Sequence, residues 1–280
     1  MSQVQTFNMF WEGQYLTPIE NLCMRSFIKH GHSLRVFTYN GAQVPEGVAL
    51  EDARDILPAD RFFTFQGSPS AFTNIFRYKL LLDQGGWWAD TDIVCCRRQM
   101  QACEYYWAEE QPGRINGAVL RFPPGDPLCW QLLRLSEERS KGHIHKGWLG
   151  PDLLTKVLSG KKPIGLVGST DDVYPIHWLE THYFWLPEFC HQVEMRTCNS
   201  SFIHLWLSIF RNMGIDPHSP PPCRSFLHRL AGYQTPCSDE DLSTCRQNVQ
   251  FYLAPYSRRN RVQNYVRKLV AALLTLIRPR

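Results

Sequence analysis

The chain has 280 residues, of which 44 % are hydrophobic and 20 % are charged, and this composition excludes a disordered or fibrous protein. Its net charge of +4 is unevenly distributed, because residues 258–280 contain seven basic and no acidic side chains and the preceding residues carry −3. A mildly acidic body argues against a nucleic-acid-binding core.

Strand-like and helix-like segments alternate in the first third of the chain. Residues 4–10 and 34–39 predict strands. Between them, Thr17-Pro18-Ile19-Glu20 is a capping box with proline at the first helical position. Residues 69–84 predict a second helix, which Gly85-Gly86 ends. The succession of strand, helix and strand predicts a parallel pair in an α/β sheet.

The later elements continue this pattern up to a run of prolines. Further strands are predicted at 87–89 (resuming at 93–94), 115–122, 173–177 and 202–206, and further helices at 126–139 and 151–158. Pro220-Pro221-Pro222 marks a predicted boundary. We therefore predict an α/β domain over residues 1–219 and a helical extension over residues 220–280.

The motif with the clearest chemistry is Asp90-Thr91-Asp92, which precedes the apolar pair Ile93-Val94. Acidic side chains beside a buried strand are usually paired or bound to a metal ion. One or two carboxylates, with phosphate oxygens and water, are a common site for Mg²⁺. The motif therefore suits a Mn²⁺ or Mg²⁺ ion that stabilises a departing diphosphate. Because such triplets are common, a solvated turn stays open as the other interpretation.

The helix upstream of this motif carries polar groups that suit the same substrate. Asn74 and Arg77 are three residues apart and so share a helix face. The guanidinium group can form paired hydrogen bonds to a phosphate or a sugar oxygen. A surface salt bridge is the simpler role for such an arginine, and both roles stay open at this point.

The block F-R-Y-x-L-L-x-x-x-G-G-x-W-x-D-x-D at residues 76–92 resembles the signature of the DXD-containing sugar transferases, the family 32-like glycosyltransferases. That family includes bacterial capsule and lipopolysaccharide enzymes, α-galactosyltransferases and initiating mannosyltransferases, and the glucosylating clostridial toxins share its core. The resemblance extends over residues 3–210. It implies a GT-A fold, whose mixed, mostly parallel sheet binds a nucleotide sugar at the carboxyl ends of its strands.

On the donor side, the resemblance implies contacts from several side chains. Trp11 corresponds to the aromatic residue that stacks on the nucleotide base. Thr73, Asn74 and Arg77 correspond to residues that contact the donor sugar and phosphate. Asn74 stands where the family commonly has aspartate, so the identity of the sugar stays open. Trp88 stands in the block where tyrosine is usual.

On the metal side, Asp92 corresponds to the direct ligand, and Asp90 to the residue that reaches the ribose and holds the metal through water. His204, Trp206 and Ser208 lie in a segment that resembles the one closing over the diphosphate, where the histidine completes the metal shell. A histidine within an apolar strand is also commonly a core residue. Both roles stay open for His204.

Two further segments match the family. Asn116 corresponds to an asparagine near the donor sugar. The segment Gly150-Pro151-Asp152 resembles the start of a helix whose free N–H groups meet an oxyanion or the acceptor. An ordinary helix cap is the simpler role for Asp152.

The resemblance implies a metal-dependent, retaining hexosyltransferase. It would move a sugar from a nucleotide-sugar donor, expected to be UDP-linked, to a saccharide or lipid-linked glycan, without a nucleic-acid partner. Catalysis would depend on Asn74, Arg77, Asp90 and Asp92 through positioning and electrostatics.

Three other functions remain open from the sequence. Residues 90–94 fit the D-x-D-x-[TV] motif of haloacid-dehalogenase-type phosphatases, and Asp171-Asp172 is available as their later acidic pair. A secreted effector that glycosylates a host protein is a second possibility. The third is a non-catalytic carbohydrate-binding or scaffold protein.

The last residues predict a basic amphipathic helix. Apolar side chains recur at helical spacing from Val262 to Ile277, and Arg267, Lys268 and Arg278 lie off that stripe. Such a helix suits an anionic membrane surface or packing on the body. Because the first residues do not resemble a secretory signal, we expect a cytoplasmic protein, with the helix as a means of peripheral attachment to the inner face of a membrane.

Overall fold

Two β-sheets organise the structure, a computed structural model that describes residues 4–232 and 242–254. The strands are β1 (Thr6–Phe10), β2 (Ser33–Thr38), β3 (Val48–Asp52), β4 (Gly86–Ala89), β5 (Ile93–Cys95), β6 (Tyr105–Gln111), β7 (Arg114–Phe122), β8 (Leu166–Val167) and β9 (Phe202–His204). Seven of them form the main sheet in the order β3-β2-β1-β4-β7-β6-β8, and β5 pairs with β9. The main sheet is mixed and mostly parallel, because among its own described strands β7 alone runs antiparallel to its neighbours, β4 and β6.

Helices lie on both faces of the main sheet. They are α1 (Pro18–Lys29), α2 (Ser70–Gln84), α3 (Pro127–Ser140), α4 (Pro151–Leu158), α5 (Thr170–Val173), α6 (Cys190–Thr197), α7 (Leu207–Asn212) and α8 (Phe226–Ala231), with 3₁₀ turns at Ala53–Asp55, Ala59–Arg61, Trp178–Phe184 and Pro187–Phe189. Residues 242–254 are also helical. The chain therefore has the predicted α/β fold.

The two hydrophobic cores are separated by the sheet itself. Successive side chains of a strand point to opposite faces. Trp87 accordingly packs in one core with α1, and Trp88 packs in the other with α2, α3 and α4. Both indoles are buried, at 2 % and 0 % exposure. Because each indole is buried on its own face, β4 cannot slip by one residue against its neighbours. The position of Asp90, directly after the strand, is fixed in the same way.

The predicted start of the first helix is confirmed. The Thr17 hydroxyl accepts a hydrogen bond from the Glu20 N–H at 3.3 Å, and the Glu20 carboxylate accepts one from the Thr17 N–H at 2.9 Å. Pro18 occupies the first turn, as expected. Two orphan N–H groups of the helix end are thus satisfied locally, which is why the sequence alone sufficed to predict it.

The strand predicted at 173–177 is wrong. Residues Thr170–Val173 form α5 instead, with Asp171 and Asp172 in its first turn, where acidic side chains favour a helix. The residues that follow bond to side chains rather than to a neighbouring strand: the Ile176 carbonyl accepts from the Trp206 indole at 3.0 Å. Three strands were not predicted at all, the exposed edge strand β3, the strand β6 and the short strand β8.

The residues beyond the proline run were predicted to form a separate extension. Phe226 and Leu227 of α8 pack in the same core as α1, and so do Cys245 and Val249. The boundary at 220–222 remains a prediction. The basic amphipathic helix predicted from residue 262 lies outside the described residues, among which no helix is long and apolar enough to span a bilayer.

The Gly85-Gly86 pair offers a test of this fold with a matched control. Gly85 has a φ of 64°, and a Cβ placed there would lie 2.6 Å from the backbone nitrogen of Pro124. Gly86 has a φ of 85°, but its Cβ would meet no heavy atom of the described residues within 4 Å. Alanine at either position strains the backbone, and only Gly85→Ala also forces the chain at Pro124 to move.

We expect Gly85→Ala to lower the free energy of unfolding by about 1–3 kcal/mol more than Gly86→Ala, since overpacking costs that much in addition to backbone strain. Urea denaturation followed by tryptophan fluorescence measures both losses. Equal losses for the two variants would show that the contact with Pro124 is not tight.

Candidate active site

The two predicted aspartates lie where the chain passes from one sheet to the other. The Asp90 N–H donates to the Ala118 carbonyl of β7 at 2.8 Å, and the Asp92 carbonyl accepts from the Leu205 N–H at 3.0 Å. The side chains of Asp90 and Asp92 remain 26 % and 17 % exposed. The motif is therefore held by backbone hydrogen bonds at both ends, and its two carboxylates stay partly accessible to solvent.

Arg77 of α2 is paired with Asp90. Its Nη2 lies 3.0 Å from Asp90 Oδ1, and its Nη1 donates to the Gly117 carbonyl. The guanidinium carbon lies 5.2 Å from the centroid of the Trp88 ring, and the Trp88 indole N–H donates to the same Asp90 oxygen at 2.7 Å. Arg77 is only 5 % exposed, so it is part of an internal ion pair and not of a surface salt bridge.

The arginine is not fully satisfied by these contacts. Among the residues that the structure describes, none accepts a hydrogen bond from Arg77 Nε. Buried donors are usually paired, so this unpaired N–H is an exception among the contacts of the arginine.

The pKa of Asp90 is raised above its usual range. Burial is the main cause, because it disfavours the charged carboxylate, and the nearby Asp92 adds to it. The positive charge of Arg77 lowers the pKa but does not outweigh burial. A cation placed beside its carboxylate would therefore favour the ionised form of Asp90.

Asp92 is paired with a different partner. The register of β5 and β9 places Ile93 opposite His204, and this brings the His204 Nε2 to 3.3 Å from Asp92 Oδ2. The Leu207 N–H donates to the same oxygen at 3.0 Å. Burial alone would raise the pKa of Asp92, but the charge of His204 and the hydrogen bonds from His204 and Leu207 lower it overall. Asp92 thus keeps its negative charge more readily than Asp90.

His204 and Trp206 form one unit. Their ring centroids are 3.8 Å apart. Trp206 adopts a left-handed backbone conformation, with φ 58° and ψ 47°, which is unfavourable for a bulky residue. Its indole N–H donates to the Ile176 carbonyl at 3.0 Å. His204 Nδ1 is buried and has no hydrogen-bond partner within the described ranges. Ser208, two residues further on, is exposed on α7.

Asn116 lies on the neighbouring strand with its amide already engaged. Its Oδ1 accepts from the Ala118 N–H at 2.9 Å, and its Nδ2 donates to Glu110. Glu110 was not among the residues predicted from the sequence. It faces Asn116 across the β6–β7 hairpin, where residues six apart in the chain become neighbours, and no linear motif indicates that contact.

Thr73 and Asn74 lie within about one turn of Arg77 on α2. The Thr73 hydroxyl donates to the Pro69 carbonyl at 3.1 Å, and the Asn74 Nδ2 donates to the Ser70 carbonyl at 2.6 Å. A Cβ on Gly150 would lie 2.9 Å from Asn74 Oδ1, so the start of α4 packs directly on this amide. The side chain of Asn74 is therefore confined between two helices, facing the segment predicted to meet the acceptor.

Trp11 follows β1 at the same edge of the sheet. Because β1 and β4 are parallel, with Asn8 opposite Trp88, Trp11 and Asp90 lie at adjacent strand ends. Trp11 is half-buried, and its indole N–H has no acceptor among the described residues. A cleft of about 510 Å³ adjoins it, lined by Glu12, Gly13, Gln14, Asn40, Gly41, Ala42 and Gln43.

The predicted metal ligands are brought near one another but not into one shell. In the described part of the chain, no group of three or more histidine, cysteine, aspartate or glutamate side chains is arranged to hold a metal ion. Asp90 pairs with Arg77, and Asp92 pairs with His204. Such a pair of carboxylates fits the kind of site in which phosphate oxygens and water complete the coordination. The metal itself remains a prediction.

The site therefore unites most of the residues singled out by the sequence. Arg77, Trp88 and Asp90 contact one another, as do Asp92, His204 and Trp206, and the two groups meet at the 90–92 turn. Asn116 is joined to the first group through the backbone of Gly117 and Ala118. Thr73, Asn74 and Trp11 border the same sheet edge.

Comparison with known proteins gives distant similarities only. No family model and no curated protein matches the sequence. Similar solved structures include a PaToxG glycosyltransferase (TM-score 0.44, 12 % identity, covering 81 % of this chain and 84 % of that one) and the glycosyltransferase GlyE of Streptococcus pneumoniae TIGR4 (0.46, 11 %, 90 % and 64 %). Another is the galactosyltransferase LgtC in complex with donor and acceptor sugar analogues (0.43, 12 %, 85 % and 99 %). All three TM-scores are below 0.5, so the function proposed below depends on the side chains of the site.

Proposed function

We propose that this protein is a glycosyltransferase that moves a sugar from a nucleoside-diphosphate donor, with a divalent cation bound at Asp92. The observation that carries the proposal is that both aspartates of the 90–92 turn are paired with basic side chains. One aspartate is joined to a buried arginine and the other to a histidine, at the carboxyl edge of a mostly parallel α/β sheet. Ligands of such sheets bind at that edge.

The electrostatics of the site suit a departing diphosphate. Asp92, whose pKa is lowered, remains ionised and can bind Mn²⁺ or Mg²⁺. When bound, such a cation stabilises the negative charge that develops on the leaving phosphate. Arg77 presents an unpaired Nε near the same position, and His204 presents an imidazole that is a suitable further ligand. These features support the metal dependence expected from the sequence.

The donor would extend from this centre along the sheet edge. The half-buried ring of Trp11 and the cleft beside it suit a nucleoside, for which we propose uridine. On the other side, Asn74 and Asn116 suit the hydroxyl groups of a hexose. Thr73, Trp206 and Ser208 complete the proposed donor contacts, whereas the fully buried Trp88 would act only through its hydrogen bond to Asp90. The amides can hydrogen-bond a sugar without introducing further charge.

We propose transfer with retention of configuration. The departing phosphate oxygen would accept the proton of the incoming hydroxyl on the same face of the sugar, and the protein would contribute positioning and electrostatic stabilisation. Gly150 and Asp152, at the start of α4, border the place where a saccharide or lipid-linked glycan acceptor would approach. A cytoplasmic location, with attachment to an anionic membrane through residues 262–277, belongs to the same proposal.

Replacing Asp92 tests the proposal directly. Asp92→Asn keeps the size and hydrogen-bonding shape of the side chain and removes the charge. We expect it to lower Mn²⁺-dependent hydrolysis of the preferred UDP-sugar by at least about 100-fold, the loss typical for a group that stabilises developing charge. The release of UDP, measured by a coupled assay, gives the rate.

Asp83→Asn is the matched control, because the Asp83 carboxylate is exposed in an ion pair with Lys79. It should retain the wild-type rate. Asp92→Asn protein that is folded and fully active would show that Asp92 holds no essential cation. Turnover of p-nitrophenyl phosphate in the absence of any nucleotide sugar would instead indicate the phosphatase, and inactivity of the wild type toward every donor would favour the non-catalytic alternative.

Ligand-induced stabilisation tests the role of His204. UDP and Mn²⁺ together should stabilise the wild-type protein by about 2.7 kcal/mol at a concentration 100 times the dissociation constant. We expect His204→Asn to lose most of this increment, because the imidazole contributes to binding the cation. His191→Asn, at an exposed position on α6, should keep it. An undiminished increment in His204→Asn, measured by thermal denaturation against its own ligand-free state, would assign His204 to the core alone.

A further inference from the structure

A buried carboxylate beside the site has no place in the proposed reaction. Glu110, near the end of β6, is 7 % exposed. Its Oε1 accepts from Arg114 Nε at 2.7 Å, and its Oε2 accepts from Asn116 Nδ2. Both oxygens are therefore engaged by residues of the adjacent strand β7.

Stability is a poor explanation for this arrangement. Removing a carboxylate and a guanidinium group from water costs roughly what their attraction returns, so apolar residues of similar size serve a core equally well. The carboxylate does, however, impose a unique geometry on its neighbours.

That geometry fixes which way the Asn116 amide faces. A carboxylate can only accept hydrogen bonds, and the Ala118 N–H can only donate one. The first contact requires the NH₂ end of Asn116, and the second requires its oxygen. The amide is thereby held in one of its two orientations, and one Nδ2 proton remains available for a ligand.

Through Arg114, the Glu110 carboxylate is also connected to the start of α4. Arg114, held by Glu110, donates through Nη1 to Asp152 Oδ1 at 2.7 Å. Asp152 lies in the first turn of α4, next to Gly150, whose backbone packs against the Asn74 amide. Glu110 thus connects to both amides that border the proposed sugar position.

We infer that Glu110 is a positioning residue that aims the remaining Nδ2 proton of Asn116 at a hydroxyl of the donor sugar. This inference rests on the proposed function. It separates two parts of donor binding: the nucleoside diphosphate is bound at Trp11 and Asp92, and the sugar is recognised through Glu110 and Asn116. Glu110 then determines selectivity among sugars attached to one nucleotide.

The test compares UDP with a UDP-sugar in calorimetric titrations with Mn²⁺. The UDP-sugar is the one that the wild type binds most tightly among UDP-glucose, UDP-galactose and UDP-N-acetylglucosamine. The dissociation constant of UDP divided by that of the UDP-sugar measures the contribution of the sugar to binding. In Glu110→Gln, the one remaining side-chain oxygen stays with the charged Arg114, because charge-assisted hydrogen bonds are the stronger ones, so the NH₂ group faces the NH₂ of Asn116 and that amide must turn. We expect this ratio to fall about tenfold, the value of one hydrogen bond, with UDP affinity unchanged.

Glu109→Gln is the matched control, because Glu109 is the exposed neighbour whose carboxylate accepts from the Gly113 N–H. It should leave both affinities unchanged. The double variant Glu110→Gln/Asn116→Asp separates positioning from stability. The glutamine introduced at position 110 can donate to the carboxylate introduced at position 116, and that carboxylate can still accept from the Ala118 N–H. The network and the unfolding midpoint are then restored, but the amide proton is absent, so the contribution of the sugar stays low.

Three outcomes decide the inference. A low sugar contribution in the double variant, with restored stability, supports it even if Glu110→Gln alone does not fold. Recovery of the sugar contribution together with stability overturns it, since the role of Glu110 would then be structural. An unchanged contribution in a folded Glu110→Gln protein overturns it as well. If the wild type binds no nucleotide at all, the proposed function fails first, and the inference falls with it.

Discussion

The ion pair between Arg77 and Asp90 is the interaction on which the site depends. It joins the middle of α2 to the end of β4, and through the Gly117 carbonyl it also joins β7. A Cβ on Gly117 would lie 2.6 Å from Arg77 Nη1 and 2.8 Å from Leu154, so the strand must carry glycine for the guanidinium group to fit. Because a buried charge that loses its partner is strongly destabilising, this pair constrains α2, β4 and β7 to one arrangement.

The two aspartates of the motif differ because their surroundings differ. Asp90 is held by an arginine and an indole, yet burial leaves its pKa raised. Asp92 is held by a histidine and a backbone N–H, and its pKa is lowered. Neighbouring carboxylates whose pKa values are moved in opposite directions are commonly assigned different tasks. In the proposed reaction, Asp90 would keep Arg77 and Trp88 in place, and Asp92 would provide the negative charge that holds the cation.

Local signals in the sequence were sufficient for most of the fold and part of the site. The capping box at Thr17, the glycines that end α2 and the alternation of strands and helices are each encoded within a few residues. The grouping of Asn74, Arg77 and the 90–92 motif followed from helix spacing and from the resemblance to a known family. The α/β class and the mostly parallel sheet were predicted correctly on that basis.

What the sequence did not indicate depends on contacts between distant residues. Residues 93–95 leave the main sheet and pair with β9, which no local pattern indicates. This pairing brings His204 to Asp92, a neighbour that only the family resemblance had implied. Glu110 becomes part of the site through the register of the β6–β7 hairpin. The strand wrongly predicted at residues 173–177 has the same origin, because this segment makes its hydrogen bonds to residues far away in the chain. The Trp206 indole donates to the Ile176 carbonyl, and the Tyr174 hydroxyl donates to the Asn116 carbonyl.

The proposed reaction requires a divalent cation at Asp92 that binds a nucleoside diphosphate at this edge of the sheet. A crystal structure of the protein with Mn²⁺ and UDP, with anomalous data collected at the manganese edge, shows whether that cation is there. We expect a single strong peak within about 2.5 Å of an Asp92 carboxylate oxygen and in contact with the diphosphate. Clear density for UDP with the manganese peak elsewhere, or with none, would contradict the proposed reaction.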